Sequence, residues 1–177
     1  DNKEQISNYM KAMLWFFKTI KENVAHNSLH YYCVGQSNHD SCAGWQSNVA
    51  LAAALAIQDV HAEIFNKFIG YFYVNEKAFL ICHGKDDTDM KAGLPLILND
   101  KTENFINEYM DYEGIPSNAI FVKGDLHQSA TSYGRRFTYK SVSSFFGSSN
   151  WVQVNYGNTK AACDYTIIDN NNILDGR

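Results

Sequence analysis

Three short apolar runs in this chain each end in a polar loop that carries a histidine. Leu29–Val34 passes through Gly35 into Ser37-Asn38-His39-Asp40. Lys77–Cys82 empties into His83-Gly84-Lys85-Asp86, and residues 119–122 run into Lys123-Gly124-Asp125-Leu126-His127. Runs of this length, rich in aromatic and β-branched residues and closed by Gly or polar residues, read as buried strands. Helical segments lie between them, so the pattern is that of an α/β fold.

The helical segments are read from apolar spacing. Ile6, Tyr9, Met10, Met13, Leu14, Phe17, Ile20 and Val24 recur at helical intervals, with Lys11, Lys18, Lys21 and Glu22 on the wet side. An alanine-rich stretch without Pro or Gly predicts a second helix over about 47–68, broken at Gly70. A third helix is expected from Asp100, with Glu103 completing a capping box, to the stop at Gly114-Ile115-Pro116. Tyr71-Phe72-Tyr73-Val74 and Lys77–Cys82 flank Asn75-Glu76, the signature of a hairpin with a two-residue turn.

The remainder alternates strand-like runs over 137–142, 151–155 and 165–168 with Gly, Ser and Asn turns. Asn170-Asn171-Asn172 is the expected tip of a last hairpin. Without repeats, low-complexity stretches or linkers, residues 1–177 are read as a single domain.

Composition narrows the function classes. With 45% hydrophobic and 19% charged residues the chain has the balance of a soluble globular protein. The formal net charge of −4 is not the strongly basic footprint of a dedicated nucleic-acid binder. The longest apolar run, 49–57, is far too short to span a membrane, and no signal-peptide pattern follows Asp1, so a cytoplasmic protein is expected. Cys33, Cys42, Cys82 and Cys163 form neither a C-x-x-C pair nor a disulfide framework, and are read as reduced thiols.

In open α/β sheets, ligands collect beyond the carboxyl ends of the strands. If the three strands lie side by side, Asn38, His39, His83, Asp125 and His127 share one crevice. Imidazole, carboxylate and amide oxygen together suit Zn²⁺, Fe²⁺ or Mn²⁺. The order N-H-D, then H-G, then G-x-x-H resembles the calcineurin-like metallophosphoesterase superfamily from Tyr32 to His127. Ser37 stands where that family has Gly, and Asp125 replaces the first His of its GHxH motif.

The resemblance implies a β-sandwich with flanking helices and a β-rich C-terminal section, present here in part. It implies that Asn38, His83 and Asp125 ligate one divalent metal ion and His127 a second. His39 would act on the phosphate as general acid. Two ions about 3.5–4 Å apart would activate a hydroxide for in-line attack on a phosphate ester, including a nucleic acid or nucleotide. The family's D-x-H and G-D-x-x-D motifs do not occur among the 37 residues before Asn38 and would lie upstream of Asp1, which makes this the expected C-terminal portion of such a domain. A partial fold leaves strand edges open, so homo-oligomerisation is expected.

Other groupings are weaker. Asp59-Val60-His61 falls within the expected second helix and reads as a solvated face. Lys85, Lys123, Arg135 and Arg136 offer a phosphate-binding fringe or a solvated surface run. The stretch 143–149 lacks the phosphate-loop pattern and reads as a turn. Phe145, Phe146, Trp151 and Tyr156 read as sheet packing rather than base-stacking residues. Two alternative functions remain. One is a non-catalytic chain that uses the crevice for binding or assembly. The other is a cysteine hydrolase built on Cys82, which the opposed directions of Cys82 and His83 on an extended strand disfavour.

Overall fold

The helical spacing near the start is realised as α1, Asn2–Asn23, in a computed structural model that describes residues 2–35, 37, 41–86, 91–144, 154, 161–169 and 172–176. The chain divides into two compact units, Asp1–Phe68 and Ile69–Arg177. In the first, β1 (Leu29–Val34) is followed by α2 (Ser41–Ala56) and β2 (Val60–Phe65), with β1 and β2 parallel and Leu29 opposite Val60. A helical crossover is the usual way to join two parallel neighbours. Phe17 of α1, Leu51 and Leu55 of α2 and Val60 of β2 form its core, with Met13, Leu14, Leu29 and Tyr31 packed against them. Burying side chains of this size contributes about 1.5–3 kcal/mol each.

The helix expected over 47–68 is corrected here. It begins earlier and ends at Ala56, and residues 60–65 are strand. No Gly or Pro marks the break. Instead Gln58 N donates to Leu55 O and Asp59 N to Ala56 O, at 2.9 and 3.1 Å, a tightened last turn. Asp59 then takes the left-handed conformation, φ 57°, a role more often given to Gly. Val60, Ile64 and Phe65 favour a pleated surface, and pairing with β1 overrides the local helical propensity. Asp59-Val60-His61 is therefore a turn leading into a strand, with Lys21 Nζ 3.2 Å from Asp59 Oδ2.

The second unit is organised by a mixed five-stranded sheet in the order β3-β4-β5-β7-β6. Its strands are β3 (Gly70–Val74), β4 (Lys77–Cys82), β5 (Ala119–Lys123), β6 (Ala130–Tyr133) and β7 (Phe137–Ser141). β4, β5 and β7 are mutually parallel, and β3 and β6 close the two edges antiparallel. The expected hairpin around Asn75-Glu76 is present, with Asn75 at φ 52°. Sheet and helices together make the fold α/β.

Between β4 and β5 runs α3, Asp100–Tyr112. Its N-cap is Asn99, whose side chain accepts from Thr102 N at 2.9 Å. Glu103 does not act as the capping-box partner, because its Oε1 accepts from Arg135 N and Nε at 2.7 and 3.1 Å. The helix stops as expected: Gly114 sits at φ 68°, and Ile115 N reaches back to Met110 O at 2.8 Å. Tyr109 Oη donates to Ile69 O at 2.9 Å, tying α3 to the start of β3.

Strand register sorts the sheet into two faces. Leu80, Phe121, Tyr139 and Ser132 stand opposite one another on the first face. Tyr139 Oη donates to Pro95 O at 2.6 Å, and Ser132 Oγ accepts from Leu98 N at 3.1 Å, so residues 94–98 cover that face. On the other face Phe72 and Phe79 stack at 5.4 Å, and Lys140 donates to Thr166 Oγ1 and Asp175 Oδ1 of the last hairpin. That hairpin is β8 (Tyr165–Asp169) against β9 (Asn172–Gly176), antiparallel and close to the expected bounds. The run over 151–155 lies almost wholly outside the described residues, as do Phe145, Phe146, Trp151 and Tyr156.

Candidate functional site

Parallel pairing of β4 and β5 sets Cys82 opposite Lys123, so both chains leave the sheet at the same level. The residues that follow, His83 on one strand and Gly124-Asp125 on the other, are adjacent as a direct consequence. Gly124 N lies 3.4 Å from Cys82 O and continues the ladder by one step. Gly84, at φ 107°, lets the two exits touch: a Cβ there would stand 3.3 Å from both Gly124 O and Lys123 Cδ. Leu126 N then donates to Gly124 O at 3.0 Å, a tight turn that places Asp125 at φ 71° and His127 at φ 56°. Left-handed backbone costs a non-glycine residue about 1–2 kcal/mol, least for Asp, so this loop holds strain at a strand end.

The turn aims the Asp125 carboxylate back at the neighbouring strand. His83 Nε2 and Asp125 Oδ1 are 3.8 Å apart, with the aspartate side chain 9% exposed and the imidazole 23%. Gly93, at φ 72°, lets a second segment approach: a Cβ there would lie 3.6 Å from Asp125 Oδ2. Leu94 N donates to Gly84 O at 2.6 Å and Lys123 Nζ to Leu94 O at 3.1 Å, so both strand exits hold Leu94. Burial lowers the Lys123 ammonium below its usual range, opposed by the nearby Asp125.

Several sequence expectations are settled by this geometry. The expectation that three strands lie side by side holds for β4 and β5, whereas β1 pairs with β2 in the first unit. His83 and Asp125 come together. His127 is half-buried in the same loop, but among the described residues no three His, Cys, Asp or Glu side chains are grouped closely enough to hold a metal ion. Asn38 and His39 lie outside the described residues.

The reading of Lys123 as part of a phosphate-binding fringe or solvated run is corrected. Lys123 is fully buried, because alternation along β5 puts it on the side of Ala119 and Phe121. Arg135 is held by Glu103 and Asn104, and Arg136 by Asp111 and by Ile115 O. Cys82 is buried and its thiol is pushed up by burial, the opposite of what a thiolate nucleophile needs.

A feature the sequence reading missed is a pocket of about 580 Å³ between the other sheet face and β8–β9, lined by Phe79, Val122, Lys140, Asp164, Thr166 and Asp175 among others. Burial raises the Asp175 carboxyl, but hydrogen bonds from Lys140 and Thr166 outweigh it and hold the group below its ordinary value. Asp164 accepts from Ser143 N at 2.9 Å and from Ser129 Oγ at 3.3 Å. Lysine at an alternate position of β7 was the available signal. Comparison with protein-family models, with curated proteins and with solved structures finds no match for this chain.

Proposed function

We propose that the strand-end crevice is a divalent-metal site and that the protein is a metal-dependent phosphoesterase of the calcineurin-like kind, built on a β-sandwich present in part. The observation that carries the reading is the pair His83 Nε2 and Asp125 Oδ1, 3.8 Å apart at the carboxyl ends of two adjacent parallel strands. The donor set fits the ion: one imidazole nitrogen and one carboxylate oxygen at that spacing can both reach a single Mn²⁺, Zn²⁺ or Fe²⁺ at about 2.0–2.2 Å. By the resemblance, His127, in the same loop as Asp125, would be a further ligand, while Asn38 lies outside the described residues.

A divalent ion supplies Lewis acidity toward a phosphoryl oxygen and a hydroxide at neutral pH. The protein's own residues do the rest. The Asp125 carboxylate is held in place by its turn and by the approach of Gly93. His83 faces that carboxylate, with Nε2 3.8 Å from Oδ1. By the resemblance, His39 would supply the proton to a departing alkoxide. Substrates are phosphate esters, with nucleic acids and nucleotides among them, and the cytoplasm is the proposed setting, with self-association through open strand edges.

The second reading, a non-catalytic chain that uses the crevice for binding or assembly, is favoured by the internal engagement of Lys123, Arg135 and Arg136. Metal analysis together with hydrolysis of bis(p-nitrophenyl) phosphate in Mn²⁺ or Zn²⁺ separates the two. Metal uptake with turnover supports the phosphoesterase. Less than about one equivalent of metal without cleavage removes it.

A further inference from the structure

The first unit carries a pair of histidines on the sheet face turned away from its core. Parallel register sets His30 of β1 directly opposite His61 of β2. Leu29, Tyr31 and Val60 belong to the core, so alternation puts both histidines on the opposite face. Both are exposed. Their ring centroids are 5.2 Å apart with the planes tilted by 56°.

The surroundings hold one ring in place. Tyr32, two residues after His30, lies parallel to its imidazole at 5.9 Å and brings its hydroxyl within 3.3 Å of Nδ1. Ser28 Oγ lies 2.9 Å from His30 Nε2. Whichever nitrogen of His30 takes a ligand, the other retains a hydroxyl to which its N–H donates. That is the outer support that fixes the tautomer of a metal-bound histidine. Tyr32 is itself braced by Phe65, stacked at 6.2 Å.

We infer that His30 and His61 form a two-histidine site for one divalent transition-metal ion, with water completing the coordination. Nδ1 of His30 faces the Tyr32 hydroxyl and Nε2 that of Ser28, so an ion bound at about 2.0–2.1 Å from either nitrogen takes the place of the hydroxyl it faces. Imidazole pairs select Zn²⁺, Ni²⁺ or Cu²⁺ over Mg²⁺ and Ca²⁺. Glu63 follows His61 by two residues on the same face of β2. This site is independent of the strand-end crevice of the second unit.

The test is Zn²⁺ titration by calorimetry on the full chain, with Ni²⁺-induced broadening of histidine ring signals to locate the ion. The account expects a Zn²⁺ site that survives Asp125→Asn and His83→Ala. It expects that site to weaken by on the order of tenfold or more in His30→Ala and in His61→Gln. It also expects broadening centred on His30 and His61. His61→Gln keeps a polar, exposed side chain, and its circular dichroism confirms folding. Zn²⁺ affinity unchanged in both histidine variants, or broadening centred on other residues, overturns the inference.

Discussion

Lys123 donates from a fully buried ammonium to Leu94 O at 3.1 Å, and the same Leu94 donates its N–H to Gly84 O at 2.6 Å. One residue is thus gripped by the exits of two parallel strands. The grip holds Gly93 against the Asp125 carboxylate, which in turn faces His83. The His83–Asp125 pair at the strand ends is therefore held by sheet register, by left-handed backbone at Gly84 and Asp125, and by one interior cation.

Burial lowers the Lys123 ammonium, so the unfolded chain binds a proton more tightly at this position than the folded one. Stability should therefore rise with pH between the lowered folded value and the usual lysine value near 10.4. Below that window both states are protonated and the desolvation cost is constant. Urea unfolding from pH 7 to 10 should show this rise in the native chain and a flatter profile in Lys123→Met. Identical pH profiles for the two would contradict the role given to the buried ammonium.

Gly84→Ala places a Cβ 3.3 Å from the Gly124 carbonyl, at a φ of 107° that side chains rarely adopt. The expected loss is about 1–3 kcal/mol, with a parallel loss of crevice geometry. Gly114→Ala is the useful contrast, because its φ is also positive yet no atom lies within 4 Å of the added Cβ. Denaturant midpoints should move further for Gly84→Ala than for Gly114→Ala.

Much of this architecture is legible in the sequence wherever one local signal dominates. The apolar period of α1, the turn at Asn75-Glu76 and the stop at Gly114 each state their structure directly. The α2–β2 boundary is not legible, because Asp59 performs the turn without a glycine and pairing with β1 decides the rest. β6 is missed for a related reason: Ala130-Thr131-Ser132-Tyr133 is short, polar and at a sheet edge, with little apolar alternation to read. In the candidate site, strand-end loops predict the His83–Asp125 meeting, since adjacent parallel strands end together. The sequence reading did not find Lys123 inside, although Ala119 and Phe121 on its side of β5 point there. The pocket above Lys140 depends on where the β8–β9 hairpin folds back, which no local pattern specifies.

Asp59→Gly offers a direct test of the corrected boundary. Glycine adopts φ 57° without strain, and the exposed Lys21 pairing it removes contributes little. The variant should be neutral or gain up to about 1 kcal/mol, whereas Asp59→Val should lose about as much or more. In a continuous helix the order would reverse, since glycine would be the costlier residue.

Thiol reactivity checks the reading of the cysteines. Cys163 is exposed and Cys82 is buried with its thiol pushed up. With a disulfide reagent at pH 8, Cys163 should react quickly and Cys82 only on unfolding. Rapid native labelling of Cys82 would reopen the cysteine-hydrolase alternative.

The most direct test of the central claim is Mn²⁺ titration of a parent chain carrying His30→Ala and His61→Gln, which silence the other site, and of the same chain with His83→Ala or Asp125→Asn added. The account predicts binding in the parent and a loss on the order of tenfold or more in each crevice variant, with phosphodiester cleavage falling in step. Equal Mn²⁺ affinity in all three chains would contradict it.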